Sequence, residues 1–139
     1  MQVFSFEIET KERWEVDVNV GGGEEYLVVG VYWRDSESFY VRRMDRFQSE
    51  NVLLKVSLGV KEVKVISSEK KESGWFELSV LRKLIFIESG SSFLQLKQNN
   101  NYFQLAVIDS ESGNVLRWLT SANGPVSHIF AYIPSTQLM

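Results

Sequence analysis

Hydrophobic and polar residues alternate with a period of two along most of the chain. Near the start, Phe4, Phe6 and Ile8 are separated by single polar residues, and the pattern resumes at Trp14 and Val16. Alternation of this kind is typical of β-strands that bury one face, because successive side chains point to opposite sides of a strand. The pattern therefore predicts half-buried strands whose apolar residues face a core.

One segment, residues 26–33, is apolar on both faces. Such a run predicts a strand in the centre of a sheet, with the core on one side and a cover on the other. The acidic residues 35–38 then predict a hairpin loop, from which residues 39–44 return as the partner strand.

Downstream, short apolar stretches are separated by clusters of Gly, Asn, Asp and Ser, which are turn-forming residues. Short strands with regular turn signals favour a sandwich or a barrel. The sequence thus predicts an all-β fold, an antiparallel β-sandwich (jelly-roll or immunoglobulin-like) of about ten strands, in a single domain over residues 1–139. A helical turn is expected only near residues 79–84. The further strands are predicted at residues 52–58, 61–66, 75–80, 84–88, 92–98, 102–108, 115–119 and 127–133.

The same alternation predicts which side chains form the core. They are Val16, Val18, Val28, Val41, Leu54, Val56, Phe76, Leu78, Leu105, Val107, Ile129 and Ile133.

Composition narrows the function classes. The 139 residues are 44% hydrophobic and 24% charged, with a net charge of −3 and no cysteine. The lack of cysteine excludes a disulfide framework, a thiolate metal site and a cysteine nucleophile. Basic residues are interspersed with acids, so we expect no nucleic-acid partner. The apolar runs are too short for a membrane span and no leader-like segment opens the chain, so we expect no membrane association and a cytoplasmic location for the chain as given.

The residues that catalysis or metal binding would need are scarce. His128 is the single histidine, whereas common metal centres use several imidazoles or thiolates. Ser110, Ser112 and Ser127 lie in ordinary turn contexts rather than on a nucleophile elbow. The acid pairs Glu7/Glu9 and Glu15/Asp17 lie on the solvent side of alternating strands. We therefore expect no catalytic residue, no enzyme activity, no cofactor and no metal.

Two polar loops have alternative interpretations. Residues 109–114 carry several oxygen ligands of the kind that calcium prefers, but a tight hairpin needs the same residue types, and a turn is predicted. The three glycines at 21–23 are not followed by the Lys and the helix that a phosphate-binding loop needs. They also predict a turn.

Aromatic residues are the remaining candidates for a functional site, at 13% of the chain with four Trp and five Tyr. An exposed aromatic ring can stack on the apolar face of a sugar, while amides and guanidinium groups bond its hydroxyls. The alternative is that each Trp belongs to the core, with its indole N–H hydrogen-bonded. The candidate ligand-binding residues are Trp33, Trp75, Trp118, Tyr102, Gln95, Gln104 and Arg42.

The order of these features resembles a known group of domains. Residues 29–35 and 38–45 contain a bulky strand, an acidic turn and a returning Phe-Tyr-x-Arg strand. Residues 75–84 contain a strand followed by a turn. Residues 102–109 are a strand, residues 112–114 a hairpin and residues 116–118 an Arg-Trp ending. This order is similar to the C-terminal β-sandwich accessory domains of family 57 glycoside hydrolases of the amylopullulanase type, and to DOMON-like and family 9 carbohydrate-binding sandwiches. The prolines usual in that pattern are absent here. Haem ligation by His or Met, known in the wider group, is not expected with His128 alone and the methionines scattered.

The resemblance implies a non-catalytic carbohydrate-binding or accessory module, with an α-glucan or another polysaccharide, or a parent hydrolase, as partner. The alternative is a protein–protein interaction or scaffold domain that uses a sheet face or an edge strand.

Overall fold

The computed structural model describes residues 3–20, 26–100, 102–120 and 124–133. These divide into two compact units, residues 1–76 and 77–139. The prediction of one domain over the whole chain stays a prediction. The predicted glycine turn at 21–23 lies outside the described residues.

The first unit is a four-stranded antiparallel sheet with a two-stranded hairpin. The sheet order is β3-β4-β5-β6, and β1 pairs only with β2. The strands are β1 (Val3–Phe6), β2 (Arg13–Val16), β3 (Tyr26–Trp33), β4 (Ser38–Asp45), β5 (Glu50–Ser57) and β6 (Glu62–Lys70).

Its core lies on one face of the sheet. Val16 and Val18 pack against Val41 of β4 and against Leu54 and Val56 of β5, and all five are at most 4% exposed. Alternating positions of adjacent strands reach the same face, which explains why these residues meet. The hairpin β1–β2 thereby covers the sheet.

The second unit is another four-stranded antiparallel sheet, of order β10-β9-β8-β7. Ile87, Leu94, Leu105 and Val107 form its core together with Ile129. The elements are α1 (Leu78–Leu81), β7 (Ile85–Ile87), a 3-10 turn (Glu88–Gly90), β8 (Ser92–Asn99), β9 (Tyr102–Asp109) and β10 (Val115–Trp118).

The all-β class, the antiparallel pairing and the number of strands are confirmed. Each four-stranded sheet is a meander in which neighbours in the sequence are neighbours in the sheet. Jelly rolls and immunoglobulin-like sandwiches instead interleave their strands through Greek-key connections. Among the described residues, no helix is both long and apolar enough to cross a membrane.

Two predicted strands are wrong. Residues 78–81 form α1, which overlaps the segment predicted as strand 75–80, and residues 127–132 carry no regular structure. Both segments still bury apolar side chains, Leu81 and Ile129 among them. A short apolar segment can be buried without pairing as a strand. The spacing of its apolar residues therefore does not show that it is a strand.

The position of β3 also differs from the prediction. It is an edge strand, whereas β4 is the strand buried on both faces. A bulge shifts its register between Val28 and Gly30, and Val31 remains 49% exposed. A run of apolar residues predicts a strand, but it does not show whether that strand lies at the centre or at the edge of the sheet.

Most predicted core residues are buried, with three exceptions. Val28 and Leu78 are half-buried, and Ile133 is 46% exposed. The first strand is the reverse of the prediction, because Phe4, Phe6 and Ile8 are exposed. In β1 it is Val3, opposite Val16, that packs on the core.

We expect Leu54→Ala to destabilise the protein by about 2–5 kcal/mol, because Leu54 is fully buried in the core of the first unit. Urea denaturation followed by circular dichroism measures the free energy of unfolding. Leu27→Ala, at a position 50% exposed, is the control and should cost less than about 1 kcal/mol. Equal losses in the two variants would contradict the assignment of this core.

Candidate functional site

The four aromatic candidates are accessible. Trp33 is 61% exposed, Trp75 60%, Tyr102 42% and Trp118 37%. Trp33 and Trp75 belong to the first unit, and Tyr102 and Trp118 belong to the second. Accessible rings of this size are candidates for contact with a ligand or partner.

The three polar candidates are buried, which does not fit a surface that binds sugar hydroxyls. Gln104 is fully buried, its amide nitrogen donates to the Gly124 carbonyl at 2.6 Å, and its amide oxygen accepts a hydrogen bond from the Thr120 hydroxyl. Gln95 is only 5% exposed. Buried amides normally form hydrogen bonds within the protein, and the hydrogen bonds of Gln104 are structural in this way.

Arg42 is buried as well, at 1% exposure. It lies on β4, and its Nη1 donates to Oδ1 of Asn51 on β5 at 2.7 Å. Among the described residues its Nε and Nη2 have no hydrogen-bond partner. Arg42 is therefore a buried cation held between two strands and is not presented at the surface.

The structure instead brings a different set of residues together around Trp33. A cleft of about 450 Å³ opens at one end of the first unit, where three hairpin turns meet. We call it the end cleft. Its lining comes from the β1–β2 turn, the β3–β4 turn and the β5–β6 turn: Ser5, Phe6, Glu7, Glu12, Arg13, Trp14, Trp33, Ser36, Glu37, Leu58, Gly59 and Lys61.

Backbone hydrogen bonds hold the three turns in place. The Glu7 N–H donates to the Glu12 carbonyl at 2.9 Å and closes the first turn. The Leu58 N–H donates to the Glu37 carbonyl at 2.9 Å, which ties the third turn to the second. Trp33 is braced by Phe39, with ring centroids 4.9 Å apart.

Asp35 fixes the turn beside Trp33. Its Oδ1 accepts hydrogen bonds from the backbone N–H groups of Glu37 at 2.8 Å and Ser38 at 2.9 Å. The bond from Glu37 above all, with those from Ser38 and the nearby Arg34 guanidinium, lowers the pKa of this carboxyl, although burial opposes the shift. Asp35 thereby fixes the backbone of the turn that carries Glu37.

Sequence patterns gave little sign of the end cleft. Glu37 lies in the predicted hairpin loop 35–38 and Lys61 begins the predicted strand 61–66, while Glu12 belongs to no predicted site. A signal was available only in the aromatic residues, Trp14 and Trp33, at strand ends next to acidic turns.

The described part of the chain offers no candidate group of metal ligands. It contains no cluster of three or more His, Asp or Glu residues able to hold a metal ion. In the predicted turn at 109–114, Asp109 Oδ2 accepts from the Ser112 N–H at 2.8 Å, so its carboxylate closes the hairpin. The exposed His128 contacts the neighbouring Ser127 hydroxyl at 2.9 Å and stacks on Phe130.

A family model described as the dipeptidyl peptidase IV (DPP IV) N-terminal region matches residues 1–139. No curated protein sequence matches the chain. A solved structure of Porphyromonas gingivalis dipeptidyl peptidase 4 is similar in fold, with a TM-score of 0.79 and 14% identity over 94% of this chain and 18% of that one. A Bacteroides ovatus protein assigned as a dipeptidyl aminopeptidase IV gives a TM-score of 0.65 and 16% identity over 81% of this chain and 16% of that one. The chain thus spans less than a fifth of either.

These findings correct the family inferred from sequence. The resemblance to accessory domains of family 57 glycoside hydrolases and to DOMON-like or family 9 carbohydrate-binding sandwiches is wrong, because the family model covers the whole chain. The carbohydrate-binding function, the polysaccharide partner and the parent hydrolase are overturned with it.

We expect Asp35→Asn to reduce the free energy of unfolding near pH 7 and to have a smaller effect in acid. A carboxyl with a lowered folded-state pKa stabilises the fold above its unfolded pKa, about 3.9, and this contribution is lost as the pH falls through the folded pKa. Urea denaturation of both proteins from neutral pH to below pH 3.9 measures the difference. A difference that does not change with pH would contradict this role.

Proposed function

We propose that this chain, which belongs to the family of dipeptidyl peptidase IV N-terminal regions, is a non-catalytic interaction segment of a peptidase. The main observation behind the proposal is the pair of four-stranded antiparallel meanders in a chain that this family model spans. Such meanders are the building units of β-propellers, in which each blade is a four-stranded sheet. The segment would then support and present surfaces rather than perform chemistry.

The side chains present favour this non-catalytic role. A serine nucleophile needs a base, and the base needs a third group that orients it. Ser127 and His128 are in contact, but the described residues supply no carboxylate hydrogen-bonded to the histidine ring. Catalytic residues would have to come from other parts of a peptidase.

The edges of both sheets argue for docking through side chains rather than through strand addition. The edge strands β3 and β10 have register shifts, and so does the pairing of β5 with edge strand β6. The remaining edge strand, β7, has three residues. Bulges and short edges both hinder the pairing of a foreign strand. Of the two surfaces that an interaction domain can use, a face is therefore favoured over an edge.

An apolar patch on the second unit is a suitable docking surface. Leu116 is 55% exposed, and Trp118 and Leu119 are each 37% exposed, at the end of β10. We call these three residues the β10 patch. Grouped exposed apolar residues mark an interaction surface more often than isolated ones do, and these three lie within four residues of sequence.

We expect no release of p-nitroaniline from a panel of dipeptidyl p-nitroanilides by the isolated full chain. Absorbance assays at high protein concentration, with His128→Ala and Ser127→Ala as matched variants, test this. Hydrolysis by the wild type that disappears in either variant would contradict the non-catalytic assignment.

We expect Leu116→Lys to reduce the binding of an apolar dye and the concentration-dependent self-association of the chain, because it places a charge in the β10 patch. Dye fluorescence and sedimentation velocity measure these effects. Val60→Lys is the control, since Val60 is 72% exposed but lies in the β5–β6 turn of the first unit and is not one of the three patch residues. A wild type that neither binds dye nor associates, or equal effects of the two substitutions, would contradict docking through this patch.

A further inference from the structure

We propose that the end cleft binds the lysine or arginine side chain of a partner peptide. The inference goes beyond the proposed function, because it assigns a ligand class to a site in the first unit that shares no residue with the β10 patch. The cleft's volume, about 450 Å³, falls within the range of natural ligand pockets.

Two tryptophans supply apolar walls. Trp33 rests on Phe39 and keeps 61% of its surface exposed, while Trp14 is half-buried. The face of an indole ring attracts a cation and also packs against an aliphatic stem. Lysine and arginine combine these two features in one side chain.

Carboxylates outnumber cations along the lining. The lining contains three acids, Glu7, Glu12 and Glu37, and two basic residues, Arg13 and Lys61. The Arg13 guanidinium lies over the Phe4 ring, 4.3 Å from its centroid, so it already has an aromatic partner. An anionic ligand would meet this excess of negative charge and is disfavoured.

Two of the three acids have unused bonding capacity. Glu7 Oε2 accepts the Thr10 hydroxyl at 2.6 Å, whereas the carboxylates of Glu12 and Glu37 accept no hydrogen bond and form no ion pair among the described residues. The backbone of Glu37 is fixed at both its N–H and its carbonyl. The turn that carries its carboxylate is therefore in place before a ligand arrives, so that only the side chain has to be ordered on binding.

A purely apolar ligand would fit less well. It would cover the carboxylates of Glu12 and Glu37 without a compensating bond, and burial of an unpaired charge is costly. A guanidinium or ammonium group instead pairs with them while its stem covers Trp33. Arginine has the further advantage of a planar fork that can both stack on an indole and bond a carboxylate.

The test titrates the full chain with an acetylated and amidated tri-arginine peptide, followed by calorimetry and by NMR chemical shifts. The capped termini restrict recognition to side chains, and a capped tri-glutamate peptide is the matched probe of opposite charge. We expect saturable binding of tri-arginine only, weakened by added salt, with shifts concentrated at the Trp33 indole.

Four variants locate the site. Trp33→Ala and Glu37→Gln should each weaken the affinity by roughly twofold to thirtyfold, the range of one cation–π contact or ion pair. Lys61→Gln should strengthen it, because a repulsive charge is removed. Trp75→Ala should leave it unchanged, since Trp75 is equally exposed but is not part of the lining.

Trp33→Phe keeps a ring and should retain most of the affinity, which separates loss of the platform from loss of the fold if Trp33→Ala is unstable. Equal binding of tri-glutamate, or affinity that depends on Trp75 and not on Trp33 and Glu37, would overturn the proposal. So would loss of tri-arginine binding in Lys61→Gln, since removal of a repulsive charge should strengthen the binding of a cation. None of these results depends on the self-association of the β10 patch, so the two proposals can fail separately.

Discussion

The packing of the β1–β2 hairpin segment onto the first sheet is the interaction on which the rest of that unit depends. Val16 and Val18 complete the core over β4 and β5. Arg43 on β4 reinforces this contact, because its Nη1 donates a hydrogen bond to the Val18 carbonyl. Its guanidinium also lies 4.1 Å from the centre of the Tyr26 ring. Burial lowers the pKa of this guanidinium, and the charges of nearby groups oppose the shift. The end cleft exists because this packing holds the β1–β2 turn beside the other two turns.

Much of the fold could be predicted because the strand period is a local property. Alternation located β4, β5, β8 and β9 to within a residue or two, and the turn-forming Asn residues at 99–101 marked the connection between β8 and β9. Sheet order and the direction of a face are not local. In β1 the larger side chains, Phe4 and Phe6, point outward, since the pairing of Val3 with Val16 decides which face meets the core.

The same limit explains why the site could be predicted only in part. The exposure of Trp33 and Trp75 follows from their places at or beyond strand ends, but Gln95, Gln104 and Arg42 are polar residues in strands that the fold buries. A buried amide that bonds a distant carbonyl, as Gln104 bonds Gly124 across 20 residues of sequence, is indistinguishable by pattern from an exposed one. The family was misassigned for a similar reason, because short strands, acidic hairpins and scattered aromatic residues occur in many all-β folds.

The irregular or short edge strands and the end cleft favour the same mode of binding, through side chains rather than through strand pairing. A β-protein with a regular exposed edge can recruit any extended chain through backbone hydrogen bonds, which carry little side-chain information. Register shifts and the short β7 remove that unselective route. Under the proposed interaction role, recognition would fall to side chains at turns, where residues as far apart in sequence as Glu12, Glu37 and Lys61 line one cleft. Since turn residues bear little of the core packing, their charges can change without loss of the fold, so this end of the unit is where partner specificity can vary most freely.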